Sequence, residues 1–221
     1  NVSGGWMYSL AEELSNRKEI CLAVATVHGP QATSGIKLNG ITYFLLPGSP
    51  PRVYRRELEP LWAQICSTLN PDLIHIHGTE YTHGAACMRS CRNQKYVISI
   101  QGLVSVYARY YLGGMTNGEV FRHITLRDLL RRDTLFQARR KFKQRGIREV
   151  ECLRSCRHII GRTSWDAAHS KSLNPGASYH VCNEILRKGF YTARKWNLEC
   201  AERLSVFVSQ ASYPLKGVHQ V

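Results

Sequence analysis

An α/β fold, with a parallel sheet and helices on both of its faces, is what this sequence predicts. Three observations carry the expectation. The β-branched runs are short and almost continuously apolar, which marks strands buried on both sides. Segments with apolar residues at helical spacing separate them, and such alternation builds parallel sheets. No internal repeat at a solenoid period and no low-complexity tract interrupts the pattern.

The elements follow in order. Met7, Leu10, Ala11 and Leu14 share one face of an opening helix. CLAVATV, at 21–27, is a compact β-branched strand. IKLNGITYFLLP reads as a hairpin, with Asn39-Gly40 as its two-residue turn and Pro47 ending the second strand. A helix through Leu58, Leu61, Trp62, Ile65 and Leu69 stops before Asn70-Pro71. The strand DLIHIHG, a helix near 81–91 and the strand YVISIQG come next. One long helical stretch is expected from about 119 to 156, then the strand RHIIGRT, a further helix, and the strand SYHVCNE near 178–184. After Glu184 the composition turns polar and basic, and a fresh strand, LSVFVSQ, is expected at 204–210. The pattern divides the chain into a domain over 1–184, a connector over 185–202 and the beginning of a second α/β domain over 203–221. A helix with no strand ahead of it, and a new strand so near the other end, make the sequence read as truncated at both ends.

Bulk composition narrows the function. With 221 residues, 43% hydrophobic and 21% charged, the chain suits one large domain, or one plus part of another, with ordinary means for a core. Its formal charge of +14 is not ordinary and points to a polyanionic partner: nucleic acid, an anionic membrane surface or a phosphorylated substrate. No apolar run approaches the ~18 residues of a spanning helix. From Arg122 to Arg157, twelve Lys/Arg and four Asp/Glu interleave with Leu126, Leu129, Leu130, Phe136, Phe142, Ile147 and Val150. Such a basic amphipathic stretch lies on an anionic membrane or forms a solvated face over a core, and the excess charge favours the membrane. None of the eight cysteines forms a C-x-x-C pair. Cys87/Cys91 and Cys152/Cys156 stand one helical turn apart, which fits neither a zinc ribbon nor a small disulfide framework. Free thiols in a reducing, cytoplasmic compartment are expected.

Ligands of open parallel sheets bind at the carboxyl ends of the strands, so the residues after each strand are the candidates. Gly4-Gly5 opens the first helix, where glycine lets a phosphate approach the backbone and the free N–H groups favour an anion. In HIHGTEY, alternation sends His75 and His77 to one side of the strand. His75 reads as a hydrogen-bonded core residue. His77 lies nearer the strand end, followed by Glu80 and Tyr81, and a histidine with a carboxylate there suits the positioning of a hydroxyl and the acceptance of its proton. Gln101-Gly102 offers an amide and an open backbone, with Tyr107, Tyr110 and Tyr111 just beyond. Arg162 ends another strand, where a guanidinium pairs with phosphate. Thr163 or Ser164 caps the next helix, with Asp166 in its first turn. His-x-His also occurs as a metal pair in hydrolases. That reading needs ligands from other strand ends, yet no carboxylate directly follows YVISIQG or RHIIGRT, and a barrel typically takes roughly 250 residues.

VSGGWMYSLAEEL, PDLIHIHGTEY, YVISIQGL, HIIGRTSWD and above all SVFVSQASYPLKGVHQV together resemble the glycosyltransferase family 4 enzymes of the GT-B fold. The resemblance follows the order of elements over nearly the whole chain. It implies two Rossmann-like domains facing each other across a cleft. The N-terminal domain, over 1–184, takes the acceptor; the C-terminal domain, beginning at 203, holds a nucleotide-sugar. A first strand would then belong ahead of Gly4-Gly5, its phosphate-facing loop. Lys216, followed by Gly217, matches the family lysine that contacts the donor pyrophosphate, and Gln210 stands where an arginine is common. Gln101 stands where many members carry histidine, which leaves His77 and Glu80 as the catalytic pair, with Tyr81, Gln101 and Gly102 on the acceptor side and Arg162 among the phosphate-binding residues. The implied reaction moves a sugar from a nucleotide-sugar to a hydroxyl with retention of configuration, in polysaccharide or glycolipid synthesis. The nucleotide-sugar is a substrate; no cofactor and no obligatory metal are implied. The implied partners are the nucleotide-sugar and a sugar or lipid-linked acceptor, not nucleic acid; the basic stretch over 122–157 adds an anionic membrane surface. The implied place is the cytoplasm, peripheral to the inner face of the membrane. The segment by itself, with little of a donor domain, is expected to be inactive. Two other readings stay open: a basic, non-catalytic module for nucleic acid or an anionic membrane, though without an RNA-recognition or helix-turn-helix signature, and a metal-dependent hydrolase using His75 and His77.

Overall fold

The computed structural model describes residues 5–30, 33–48, 53–201, 204–205 and 213–217. The chain forms two compact units, Asn1–Pro47 with Asn183–Gln210, and Gly48–Cys182 with Ala211–Val221.

In the first unit, α1 (Gly5–Ser15) turns the buried Ser9 hydroxyl back to the Gly5 carbonyl at 3.2 Å. β1 (Ala23–Val27), β2 (Thr33–Leu38) and β3 (Ile41–Leu46) form a sheet of order β1-β3-β2, with β1 parallel and β2 antiparallel to β3. The hairpin is the expected one. Asn39 (φ 50°) and Gly40 (φ 76°) both take the left-handed conformation its tight turn demands, and Leu38 pairs with Ile41. Val27, Ile41, Phe44 and Leu46 are buried here. The polar connector holds a short helix (Lys188–Thr192) and a 3-10 turn (Leu198–Cys200), and its Phe190, Tyr191, Trp196 and Leu198 are exposed. Of the strand expected at 204–210, Leu204 lies in a turn and 206–210 lie outside the described residues.

The second unit is an α/β layer structure. α2 (Glu59–Leu69), entered through a 3-10 turn (Arg56–Leu58), leads to β4 (Ile74–His77), α3 (His83–Ser90), β5 (Tyr96–Ser99) and α4 (Val104–Tyr110). The single long helix expected from 119 to 156 is instead three: α5 (Asn117–Arg122), α6 (Leu126–Arg131) and α7 (Leu135–Ser155). Each begins at a reciprocal cap, Thr116 with Glu119, Thr125 with Asp128, and Thr134 with Gln137. Arg132, at φ 52°, turns the chain out of α6. Local caps therefore override the continuous amphipathic pattern. β6 (His158–Gly161), α8 (Ser164–Leu173) and β7 (Ser178–Val181) complete the unit. The four strands lie in the order β4-β5-β6-β7, all parallel, flanked by helices.

Close approach sets the packing. Gly84 of α3 faces Ile76, where a Cβ would come 2.9 Å from Cγ2. Gly146 lets α7 cross α4, since a Cβ there would come 2.7 Å from the Ser105 Cα. Ile76, Ile98, Leu103, Leu153 and Ile159 fill the interior. At Gly146 the obstacle is backbone, which cannot swing aside. Gly146→Ala is therefore expected to cost about 1–3 kcal/mol. Gly118→Ala, where a Cβ would meet only Thr116 Oγ1 at 4.0 Å, is expected to be neutral or stabilising. Urea-unfolding midpoints of the two variants check this; equal midpoints would contradict the α4–α7 packing.

Candidate functional site

The carboxyl ends of β4, β5 and β6 deliver three loops to one side of the second unit. After β4 the chain turns at Gly78 (φ 77°). A Cβ at Gly78 would strike the Glu80 carboxylate and come 3.3 Å from Gln101 Cγ, so Glu80 and Gln101, from different loops, share the space above this glycine. Arg145 of α7 is buried, with its guanidinium 4.2 Å from the centroid of the Phe142 ring, and its Nη1 donates to the Glu80 carbonyl at 3.1 Å. Burial pushes the Glu80 carboxyl above the usual range. The nearby Glu149 adds to the rise, and Arg145 opposes it without prevailing.

The loop after β5 is roofed by an aromatic wall. The Tyr107 ring lies on Gly102, where a Cβ would come 2.9 Å from Cε2, and it stacks with Trp165 of α8 at 6.0 Å between centroids. Trp165 is 41% exposed and meets the His169 ring edge-on at 4.4 Å. The exposed Arg162 donates from Nη2 to the Gln101 carbonyl at 3.4 Å. Thr163 caps α8 as its residue type indicates. Its hydroxyl accepts from the Asp166 N–H at 3.1 Å, while Asp166 Oδ2 accepts from the backbone N–H groups of Arg162 at 3.1 Å and Thr163 at 3.2 Å.

Two histidines alternate along β4. His75 Nε2 and Ser99 Oγ share a hydrogen bond of 2.7 Å, the core role expected of His75. The His77 ring lies 3.8 Å from that of His75, and burial, with His75 adding to it, holds His77 down to about 4. His77 is therefore neutral at neutral pH. His83, the first residue of α3, keeps Nδ1 buried with no hydrogen-bond partner among the described residues; burial lowers its pKa as well. Its ring stacks with that of the exposed Tyr81 at 6.2 Å.

His77, Glu80, Tyr81, Gln101, Gly102 and Arg162 thus all lie at the strand ends. Glu80, Gln101 and Arg162 form one contiguous group, whereas the His77 ring packs against that of His75. Gly4 and Gln210 lie outside the described residues. Gly5 opens α1 in the first unit, with the Arg187 side chain packed where a Cβ would stand. Lys216 and Gly217 lie at the 3-10 turn Pro214–Lys216 of the second unit. There Tyr213 stacks on Tyr111 at 5.5 Å, beside Phe142, and the exposed Lys216 holds Nζ 5.8 Å from the Tyr213 ring centroid. The sequence candidates do not include Trp165 or His83. Trp165 sits three residues beyond Arg162, within reach of the same strand-end rule, whereas nothing in the sequence distinguishes His83. Among the described residues no third ligand joins His75 and His77 at metal-binding distance; the one such cluster is made of cysteines.

No protein-family model matches the chain, and no characterised protein matches it.

The buried histidines predict a pH dependence. Between about 4 and the ordinary 6.5, His77 carries a proton in the unfolded chain but not in the folded one. Unfolding then takes up a proton, so stability rises with pH across this window, by on the order of 3 kcal/mol from His77. Glu80 and Glu149, whose pKa values are raised, act in the opposite sense above the usual carboxylate range. His77→Gln should flatten the rise of the melting temperature between pH 4.5 and 7. An unchanged slope would show that His77 is not buried in its neutral form.

Proposed function

We propose that this chain is the acceptor-side part of a GT-B glycosyltransferase that moves a sugar from a nucleotide-sugar to a hydroxyl with retention of configuration. In this reading residues 1–184 form the Rossmann-like acceptor domain, 185–202 the connector and 203–221 the start of the donor domain. The observation that carries it is the Tyr107–Trp165 wall beside Glu80 and Gln101 at the strand ends. The C–H face of a pyranose packs on an aromatic ring, while its hydroxyls require hydrogen-bonding groups at the edge. A carboxyl, an amide and a guanidinium stand there. The electron pair of the broken sugar–phosphate bond leaves on the diphosphate, which Lys216 and Arg162 stabilise as charge develops. The proton of the acceptor hydroxyl passes to His77, whose basicity rises as the negative diphosphate approaches. A metal-dependent hydrolase is less well supported, because His75 and His77 have no third ligand among the described residues.

The test uses the enzyme in which this chain is joined to its donor half, following release of nucleoside diphosphate. Trp165→Ala should raise the acceptor KM about fivefold, in keeping with the ~1 kcal/mol of an aromatic contact. The KM for the nucleotide-sugar should stay within about twofold. His77→Ala should lower kcat. Loss of donor affinity with an unchanged acceptor KM would overturn the assignment, as would the absence of turnover with any nucleotide-sugar.

An anionic membrane is the proposed second partner, on the cytoplasmic side. α5 and α6 expose Phe121 (65%), Leu126 (72%), Leu129 (55%) and Leu130 (76%) among Arg122, Arg127, Arg131 and Arg132. Among the described residues no helix is long and apolar enough to cross a membrane, so the contact would be peripheral. Vesicles containing anionic lipid should sediment the protein at low salt, with roughly 1 kcal/mol from each basic residue that reaches the surface. Leu126→Ser with Leu130→Ser should weaken that binding. Equal sedimentation by neutral vesicles would refute the electrostatic part of the proposal.

A further inference from the structure

All eight cysteines are free thiols, and three of them converge. Cys66 lies in the last turn of α2, Cys87 lies in α3, and Cys91 caps the end of α3. Their Sγ atoms lie within 4.8 Å of one another, and Cys91 Sγ stands 2.7 Å from Cys66 Sγ. The residues are 9%, 4% and 7% exposed, in that order. The cluster is held from outside: the buried Tyr96 hydroxyl of β5 donates to the carbonyls of Cys91 at 2.8 Å and Cys87 at 3.3 Å, which fixes the last turn of α3 over the sheet. Hydrogen bonds from the other two thiols hold Cys66 down to about 6. Cys91 is pushed up to about 11 by burial, and Cys87 is pushed up further by its hydrogen bond to Cys66 and by burial.

We propose that Cys66, Cys87 and Cys91 form a three-sulfur site for a soft, trivalent, thiophilic ion of the arsenite class. Coordination number is the first argument. Among the described residues no fourth His, Cys, Asp or Glu joins the cluster, so the closed tetrahedron of a structural zinc site is incomplete, while sulfur selects soft ions. Charge is the second. All three residues are less than a tenth exposed, and a buried ion complex is least costly when it carries no net charge. Three thiolates on a trivalent ion leave a neutral complex. The step balances without an oxidant: three As–OH bonds break, three As–S bonds form, and three waters leave with the thiol protons. An ion–sulfur distance of about 2.3 Å, as for zinc thiolates, places the sulfurs of a pyramidal three-coordinate ion roughly 3.5 Å apart. Binding would thus part Cys66 from Cys91 and leave the spread of the cluster within its present limits.

The test is an anaerobic titration of the reduced chain with arsenite, kept free of added thiols. Near-UV thiolate-to-arsenic absorption should saturate at one equivalent, X-ray absorption should report three sulfur neighbours, and the melting temperature should rise with arsenite. Cys66→Ala and Cys87→Ala should each weaken binding at least tenfold. The surface variant Cys21→Ser/Cys182→Ser/Cys200→Ser should bind as the wild type does. Two sulfur neighbours, full affinity in Cys87→Ala, or loss in the surface variant would overturn the site. So would zinc held by four protein ligands. The wild-type sulfur count decides the matter even if a core variant fails to fold.

Discussion

The carboxylate of Glu149 accepts hydrogen bonds from Val104 N at 2.9 Å, Ser105 N at 2.8 Å, Ser105 Oγ at 2.5 Å and Thr79 Oγ1 at 3.0 Å, with the residue only 1% exposed. Two of those donors are the first N–H groups of α4, which a helix cannot satisfy internally. A side chain from the middle of α7 thus caps another helix and places negative charge at its positive end. Thr79 belongs to the loop that leaves β4. One carboxylate therefore fixes the β4 loop, the start of α4 and the path of α7 against one another. Glu80 follows Thr79, Gln101-Gly102 precedes α4, and Arg145 lies one turn before Glu149. Glu80 and Gln101-Gly102 at the strand ends therefore adjoin segments held at this one point. Even with four donors, burial dominates and raises the Glu149 pKa, so these hydrogen bonds offset the cost of desolvation without abolishing it.

Glycine makes that reach possible. At Gly146 the α7 backbone meets Ser105 of α4 with no side chain between them, and this brings Glu149, one turn further on, to the α4 N-terminus. Gly102 gives its side-chain space to the Tyr107 ring, and Gly78 gives its own to Glu80 and Gln101. At each place a functional group from elsewhere occupies the volume of a missing Cβ. The compactness of the strand-end mouth is therefore written in its glycines as much as in its polar residues.

Much of the fold is legible because its signals are local. The short apolar runs ahead of residue 184, the Asn39-Gly40 turn and the Thr163 cap each act within a few residues, and each lies where the sequence indicates. The break of the 119–156 stretch is also local. Thr125 with Asp128 and Thr134 with Gln137 are readable as caps, but the run of leucines and arginines through them has the periodicity of a single helix. Glu149 is a different case. Its partners lie 44, 45 and 70 positions away, so nothing near it in sequence distinguishes it from the exposed Glu151. Cys66 is hidden in the same way: Cys87 and Cys91 reveal one helical turn, and only the packing of α2 on α3 supplies the third sulfur. For the candidate site, the strand-end rule locates His77, Glu80, Gln101 and Arg162. It does not foresee that Glu80 folds over Gly78 toward Gln101, because that depends on Arg145 and α7.

The distribution of charge bears on what such a mouth can receive. Burial drives His77 down and Glu80 up, and both shifts favour the uncharged form. The ionised groups nearby are held differently: Arg145 is spent on a backbone carbonyl and the face of Phe142, while Arg162 and Lys216 are exposed. Among the described residues the positive charge is densest on α7, where seven Lys/Arg stand against two Glu and Arg140, Lys141, Lys143 and Arg154 are exposed, rather than concentrated between the strand ends. A polyanion would find its attraction on that outer surface. A mouth of neutral hydrogen-bonding groups beside an aromatic wall matches a neutral, hydroxyl-rich molecule, with cations reserved for its rim. That separation is what the proposed reaction needs, because the acceptor is uncharged until its proton leaves and only the departing diphosphate calls for positive charge.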